Sequence, residues 1–271
     1  MMSKNILERG LVMLGCGKMG SALLSGLLEQ GVDSKSVWIL DPKPSKWVIS
    51  CGVRVNEILP DDPAIVLVAV KPQMMGEALL RLQRFGAGTT LFLSVAAGTS
   101  ISTFEKVLGS STPIVRAMPN TPAAVGQGIT ALIGNSRTTD TDLAEAQSLM
   151  AAVGQTVLLQ DESQMDAVTG VSGSGPAYVF HLIETLAEAG VEQGLPAGMA
   201  MRLAQATVAG AGALAVQSDE SAEQLRINVT SPHGTTQAAL EVLMNDKSGL
   251  QSLITSAVEA ATKRSQELSN D

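Results

Sequence analysis

The chain has little of what several kinds of chemistry require. Its 271 residues include two cysteines and two histidines, and Cys16, Cys51, His181 and His233 form no recurring zinc spacing, so no metal site is expected. Four Phe, two Trp and one Tyr leave little surface on which bases could stack. A net charge of −8 removes the basic face that displaces counterions from phosphate, which argues against a nucleic-acid partner. The longest uninterrupted apolar run, Ile65 to Val70, is strand-sized and far short of the ~18 residues of a membrane span. The opening segment MMSKNILERG lacks the apolar stretch of a signal peptide, so a cytoplasmic location is expected.

What is present suits a folded α/β protein. Hydrophobic residues make up 45% and charged residues 16% of the chain, enough for one large core or two moderate ones and too apolar for a disordered tail. Residues 1–150 carry 13 Lys and Arg against 12 Asp and Glu, whereas residues 151–271 carry 5 against 14. A polyanionic cofactor therefore belongs to the first half. There, short apolar runs at Leu11–Leu14, Val37–Leu40, Ala64–Val70, Leu91–Val95 and Ile114–Ala117 alternate with helix-period segments, among them Met19 to Gln30 and Met74 to Phe85. This is the pattern of βαβ units around a parallel sheet, which runs at Ile129–Ile133 and Thr156–Leu159 extend.

After about residue 163 the strand signals stop, and His181 to Gly190, Met199 to Val216, Thr235 to Met244 and Leu250 to Leu268 read as helices. The expected division is 1–162 and 163–271. The segment ATVAGAGALA, Ala206–Ala215, is apolar on every side, and a helix of that kind must be buried on every side. Either it is an ordinary core helix, or two chains intertwine and these helices form a dimer core.

Gly15-Cys16-Gly17-Lys18-Met19-Gly20 follows the first strand and opens a helix. In that context Gly15 permits the turn, Gly17 clears the approach of a pyrophosphate, and Gly20 allows close packing of helix on strand. The fold class is thus a Rossmann, doubly wound, mostly parallel sheet followed by an all-helical carboxy-terminal domain. Asp41 ends the second strand, where an acid accepts hydrogen bonds from the ribose hydroxyls of NAD, yet Lys43 and Lys46 are placed to reach a 2′-phosphate, and Asp41 also suits a turn before Pro42. Val68-Ala69-Val70-Lys71-Pro72 and Ser94-Val95-Ala96-Ala97-Gly98 end strands at the same sheet edge, and Asn120, between Pro119 and Pro122, has an amide suited to a nicotinamide carboxamide. In the second half, Ser174-Gly175-Pro176 and Ser231-Pro232-His233-Gly234-Thr235-Thr236 open helices. Each offers free N–H groups and hydroxyls to an anion, or else caps its helix.

The ordered set GCGKMG, AVKPQ, SVAAG, RAMPNTP, GSGPAYVFHLIE and TSPHGTT resembles the pyrroline-5-carboxylate reductases from Leu11 to Leu268. The resemblance implies a carboxy-terminal dimerisation domain and reduction of Δ1-pyrroline-5-carboxylate to L-proline with NADPH or NADH. It implies a homodimer, with decamers as a further assembly. It places Gly15, Cys16, Gly17, Lys18, Met19 and Gly20 at the pyrophosphate and Asn56 near the adenosine ribose. Ala69, Val70, Lys71, Pro72, Ala97 and Asn120 become cofactor contacts. Val229, Ser231, Gly234, Thr235 and Thr236 hold the substrate carboxylate and ring nitrogen, and Asp219 or Glu220 falls near an acidic position. The family usually has glycine where this chain has His233, and a side chain there is expected to impose an ordinary backbone conformation.

A β-hydroxyacid or 6-phosphogluconate-type dehydrogenase would share the plan but needs a catalytic lysine in the helical half, where only Lys247 and Lys263 occur. A non-catalytic NAD(P)-binding regulator would keep the fold and lose the chemistry.

Overall fold

The computed structural model describes residues 4–270. The chain forms two compact units, one comprising the residues up to Gly173 together with those from Thr262 on, the other Ser174–Ala261.

The first unit is built on an eight-stranded sheet: β1 (Leu11–Leu14), β2 (Val37–Leu40), β3 (Arg54–Val55), β4 (Ile65–Val68), β5 (Leu91–Ser94), β6 (Ile114–Met118), β7 (Gly128–Gly134) and β8 (Gly154–Leu158). Their spatial order is β3-β2-β1-β4-β5-β6-β7-β8, and every neighbouring pair is parallel except β6 with β7. Order reverses beside β1, whose Leu11 stands opposite Val37 on one side and Ile65 on the other. Ligands of open α/β sheets bind beyond the strand ends at such a switch point.

Alternate residues of β1, β4 and β5 feed two cores. Leu11, Met13, Ile65, Leu67, Leu91 and Leu93 face one side; Val12, Leu14, Val66, Val68 and Phe92 face the other. Burial on both faces is why these strands read as unbroken apolar runs. Helices α1 (Lys4–Arg9), α2 (Lys18–Glu29), α3 (Lys46–Ser50), α4 (Met75–Leu80), α5 (Ile101–Leu108), α6 (Asp140–Met150) and α7 (Gln164–Val168) complete the unit. Leu23, Leu24 and Leu27 of α2 and Leu149 of α6 join the first core, while Leu79 of α4 and Phe104 of α5 join the second. Each such side chain contributes about 1.5–3 kcal/mol by leaving water.

The Met74 to Phe85 segment is not the single helix its period suggests. α4 ends at Leu80 and a separate 3₁₀ turn covers Gln83–Phe85. Buried Leu79, Leu82 and Phe85 recur every third residue, which suits three-residue turns, and Gly86 lies so close to the Leu108 carbonyl that a β-carbon would not fit.

The second unit contains α8 (Gly175–Glu192), α9 (Ala197–Gln217), α10 (Ala222–Asn228) and α11 (Thr235–Leu243); α12 (Leu250–Asn270) begins in it. α8 and α9 pack through small residues, Ala187 with Ala200 and Ala204, and a β-carbon on Gly190 would come within 3.2 Å of Ala200. Little else is covered: Phe180, Leu203, Leu214, Val242 and Leu253 are exposed, and Gly210 and Gly212 face open space. Among the described residues α9, 21 residues long and containing an 18-residue window of mean hydropathy 1.3, is long and apolar enough to cross a membrane by composition, although Arg202 and Gln205 interrupt it. Its hydropathy is spread over alanines and valines, so it escapes a search for continuous runs.

Candidate active site

At the end of β1 the chain turns at Gly15, whose φ of 86° is open to glycine and whose absent β-carbon would meet the Ala69 carbonyl and Val70 at 2.9 Å. Gly15 N–H donates to the Leu40 carbonyl and Ala69 N–H to that of Leu14, each at 2.8 Å, which brings the ends of β1, β2 and β4 together. Gly17 starts α2, and a β-carbon there would enter open space in front of the helix N-terminus. That clearance beside unsatisfied N–H groups fits a pyrophosphate. A β-carbon on Gly20 would lie 2.9 Å from the Gly15 carbonyl, so this glycine holds the loop against its own helix. Lys18 is exposed and Met19 half-buried.

Asp41 is held from four sides. Its Oδ2 accepts from Cys16 N–H and its Oδ1 from Lys43 N–H, both at 2.8 Å. The Asn56 side chain accepts from Asp41 N–H at 3.1 Å and donates to its carbonyl at 2.8 Å. Asn56 has a φ of 53°, a conformation asparagine tolerates, and its own N–H donates to Ile39, so its amide continues the ladder beyond β3. Asp41, Asn56, Val70, Met74, Glu77 and Arg81 are among the residues lining a cleft of about 650 Å³ at this edge.

The Cys16 thiol is buried, which raises it above its ordinary value of 9.0 despite a hydrogen bond from Ser21, and it stays protonated near neutrality. Lys71 and Ala97 are exposed, and the Lys71 carbonyl accepts from Met74 in the turn that Pro72 opens. Asn120 is buried with its Oδ1 on Ile129 N–H at 2.9 Å, so half of its amide fixes the start of β7.

In the second unit neither candidate loop spends its hydroxyls on capping. α8 begins after Ser174 with Gly175 and Pro176, and α11 begins after Gly234; no side-chain hydrogen bond caps either. Gly234 N–H donates to the Ser231 carbonyl at 3.0 Å, and a β-carbon at Gly234 would collide with Ser231 Oγ. Thr235 and Thr236 form the first turn of α11, and the Ser231, Thr235 and Thr236 hydroxyls have no intramolecular partner among the described residues. Val229 follows α10, exposed. The structure adds two residues that sequence reasoning missed. Asn228, the last residue of α10, donates to Glu220 at 2.9 Å, and Gln237 accepts from His233 N–H at 2.8 Å. The S-x-x-x-x-x-Q spacing carried no familiar cap signal.

Comparison with known proteins now bears on this geometry. A protein from Pseudomonas aeruginosa named pyrroline-5-carboxylate reductase is 37% identical, across 95% of this chain and 96% of that protein. One of the same name from Synechocystis is 40% identical, across 95% and 97%. The chain belongs to the pyrroline-5-carboxylate reductase family. The family described as pyrroline-5-carboxylate reductase dimerisation matches residues 162–268, and that described as NADP oxidoreductase, coenzyme F420-dependent, matches 11–98. The solved reductase of Coxiella burnetii superimposes with a TM-score of 0.91 at 34% identity, over 96% of this chain and 98% of that one. The Plasmodium falciparum enzyme, solved with NADP bound, gives 0.84 at 29%, over 99% and 100%.

Against that family, His233 corrects the sequence reading. Its φ is 59°, so the backbone is left-handed in spite of the side chain, which is carried at a conformational cost. The turn from Ser231 to Gly234 and the bond to Gln237 hold it in place.

Proposed function

We propose that this chain reduces the cyclic imine of Δ1-pyrroline-5-carboxylate to L-proline, using NADPH or NADH, as a homodimer in the cytoplasm. The observation that carries the reading is identity of 37–40% to proteins of that name across 95% of the chain, which takes in both motif sets. The open face of Gly17 and the 650 Å³ cleft support the Gly15–Gly20 loop, Asp41, Asn56 and Ala69–Pro72 as the dinucleotide site, with Ala97 and Asn120 at the neighbouring strand ends. When bound there, the reduced dinucleotide supplies hydride.

The remaining work falls to the substrate loop. Ser231, Gly234 and Thr235 present hydroxyls and N–H groups to a carboxylate, with Val229 at the loop's start, and Ser174 and Gly175 form a second anion-binding helix start. Thr236 directs its hydroxyl to the ring nitrogen. Ketone reduction leaves an alkoxide that needs a strong proton donor, but a protonated cyclic imine becomes a neutral amine. Positioning is then the main task, and the absence of lysine from the 229–236 loop is no obstacle.

Residues 1–162 serve the cofactor and 163–271 serve dimerisation and substrate, a division supported by the family match that begins at residue 162. The exposed apolar faces of α8, α9 and α12 support a second copy as their cover. Assembly of dimers into decamers rests on the resemblance alone. Both cysteines are free thiols, in keeping with a reducing compartment. The test is the loss of reduced-nicotinamide absorbance on adding pyrroline-5-carboxylate, with proline as the product. Cofactor binding without turnover would make the protein a regulator instead.

A further inference from the structure

The sequence left the choice between NADH and NADPH open, because Asp41 favours one and Lys43 and Lys46 the other. The structure puts Asp41 in the cleft wall and leaves both lysine side chains exposed. Asp41 lines the cleft, and its carboxylate is fixed by the N–H groups of Cys16 and Lys43 while Asn56 clamps its peptide groups. Two of a carboxylate's roughly four lone-pair positions are used, so acceptor capacity remains for a ribose diol, and the side chain is not free to swing away. Lys43 and Lys46 are exposed and are not part of the cleft wall. The charged residues that do line it are Asp41, Glu77 and Arg81, and Arg81 already faces Glu77 at 4.0 Å. The wall therefore carries one net negative charge.

We propose that Asp41 makes this cleft select NADH over NADPH. A 2′-hydroxyl donates to the fixed carboxylate; a 2′-phosphate has only acceptor oxygens at neutral pH and brings about two negative charges to a wall that is already negative. The Plasmodium falciparum relative was solved with NADP bound, so the fold itself admits a 2′-phosphate. At contact distance, like charges of this kind cost about a tenfold loss in affinity even under water-like screening.

The proposal rests on the cleft being the dinucleotide site, and the experiment separates the two. Dissociation constants for NADH and NADPH are measured by nicotinamide fluorescence on the full-length protein, in wild type, Asp41→Asn and Gly17→Val. Wild type is expected to bind NADH about tenfold more tightly, and Asp41→Asn to bring the ratio towards one, chiefly through tighter NADPH. The ratio cancels general damage to the loop, because the two ligands differ only at the 2′ position. Equal or tighter NADPH binding by wild type overturns the proposal, and so does an unchanged ratio in a folded Asp41→Asn protein. If that variant does not fold, the wild-type ratio decides. Unchanged affinity for both ligands in Gly17→Val removes the site reading, and the proposal with it.

Discussion

At position 233 a side chain occupies a backbone state that suits glycine. The left-handed conformation costs a β-carbon-bearing residue about 1–2 kcal/mol, while glycine gives back about 0.5–1 kcal/mol in lost chain entropy. His233→Gly is therefore expected to stabilise the protein by about 0.5–1 kcal/mol, read as a rise in the denaturation midpoint at fixed protein concentration. A lower midpoint would mean that the imidazole makes a contact worth more than the strain. Thr236 and Ser231 divide differently. Loss of a hydroxyl that meets the ring nitrogen as hydride arrives lowers kcat, at or below the ~10²-fold end of acid–base effects, so Thr236→Ala is expected to turn over slowly with unaltered cofactor affinity. Ser231→Ala is expected chiefly to raise KM, as loss of a contact made equally before and during reaction does. Normal kinetics in both would send the search for the substrate's partners elsewhere. At this scale the glycine loop was legible because its spacing is local. The bond from Cys16 to Asp41 was not, since it joins residues 25 apart, and His233 was misread because a β-carbon raises the cost of positive φ without forbidding it.

Among elements, β1, β2 and β4–β6 were legible as apolar runs because both sheet faces are covered. α3, α5 and α6 were missed, although Ser45, Ser100 and Thr139 cap them, Thr139 with Asp142 in a reciprocal box. α5 is periodic, burying Ile101, Phe104 and Leu108, but only eight residues long; α3 is shorter still and α6 is only weakly amphipathic, so the caps would have been the better signal. The ladder from β6 reverses at β7, which no local pattern announces. One acid ties distant elements of the first unit together: Glu162 Oε1 accepts from Arg116 of β6 at 2.7 Å and from Ile101 N–H at the start of α5 at 3.0 Å. Arg116 is buried, with 7% of its side chain exposed, so removing its partner strands a charge. Glu162→Ala is expected to cost about 2–3 kcal/mol in denaturant unfolding. A change under about 0.5 kcal/mol would mean that water replaces the carboxylate.

For the whole molecule, the two halves differ in whether they finish their own cores. The small-residue composition of α8 and α9 was legible, and the Ala187–Ala200–Ala204 contact accounts for part of it. A β-carbon on Gly210 or Gly212 would meet nothing among the described residues, which is in keeping with the proposed second copy packing there. Ala209→Glu or Ala213→Glu would place a charge on this uncovered helix, and aggregated or unfolded protein is expected in light scattering and circular dichroism. A folded, active monomer would sink the dimer reading.

Having two compact units with unequal cores also separates what their stabilities respond to. The first unit owes its free energy to contacts within one chain, so dinucleotide raises it by RT ln(1 + [L]/Kd) whatever the protein concentration. If, as proposed, its own copy covers the second, that unit answers to mass action as well, and dilution lowers it. A single melting temperature is then not a property of this molecule; it is a point on a surface with ligand along one axis and chain concentration along the other.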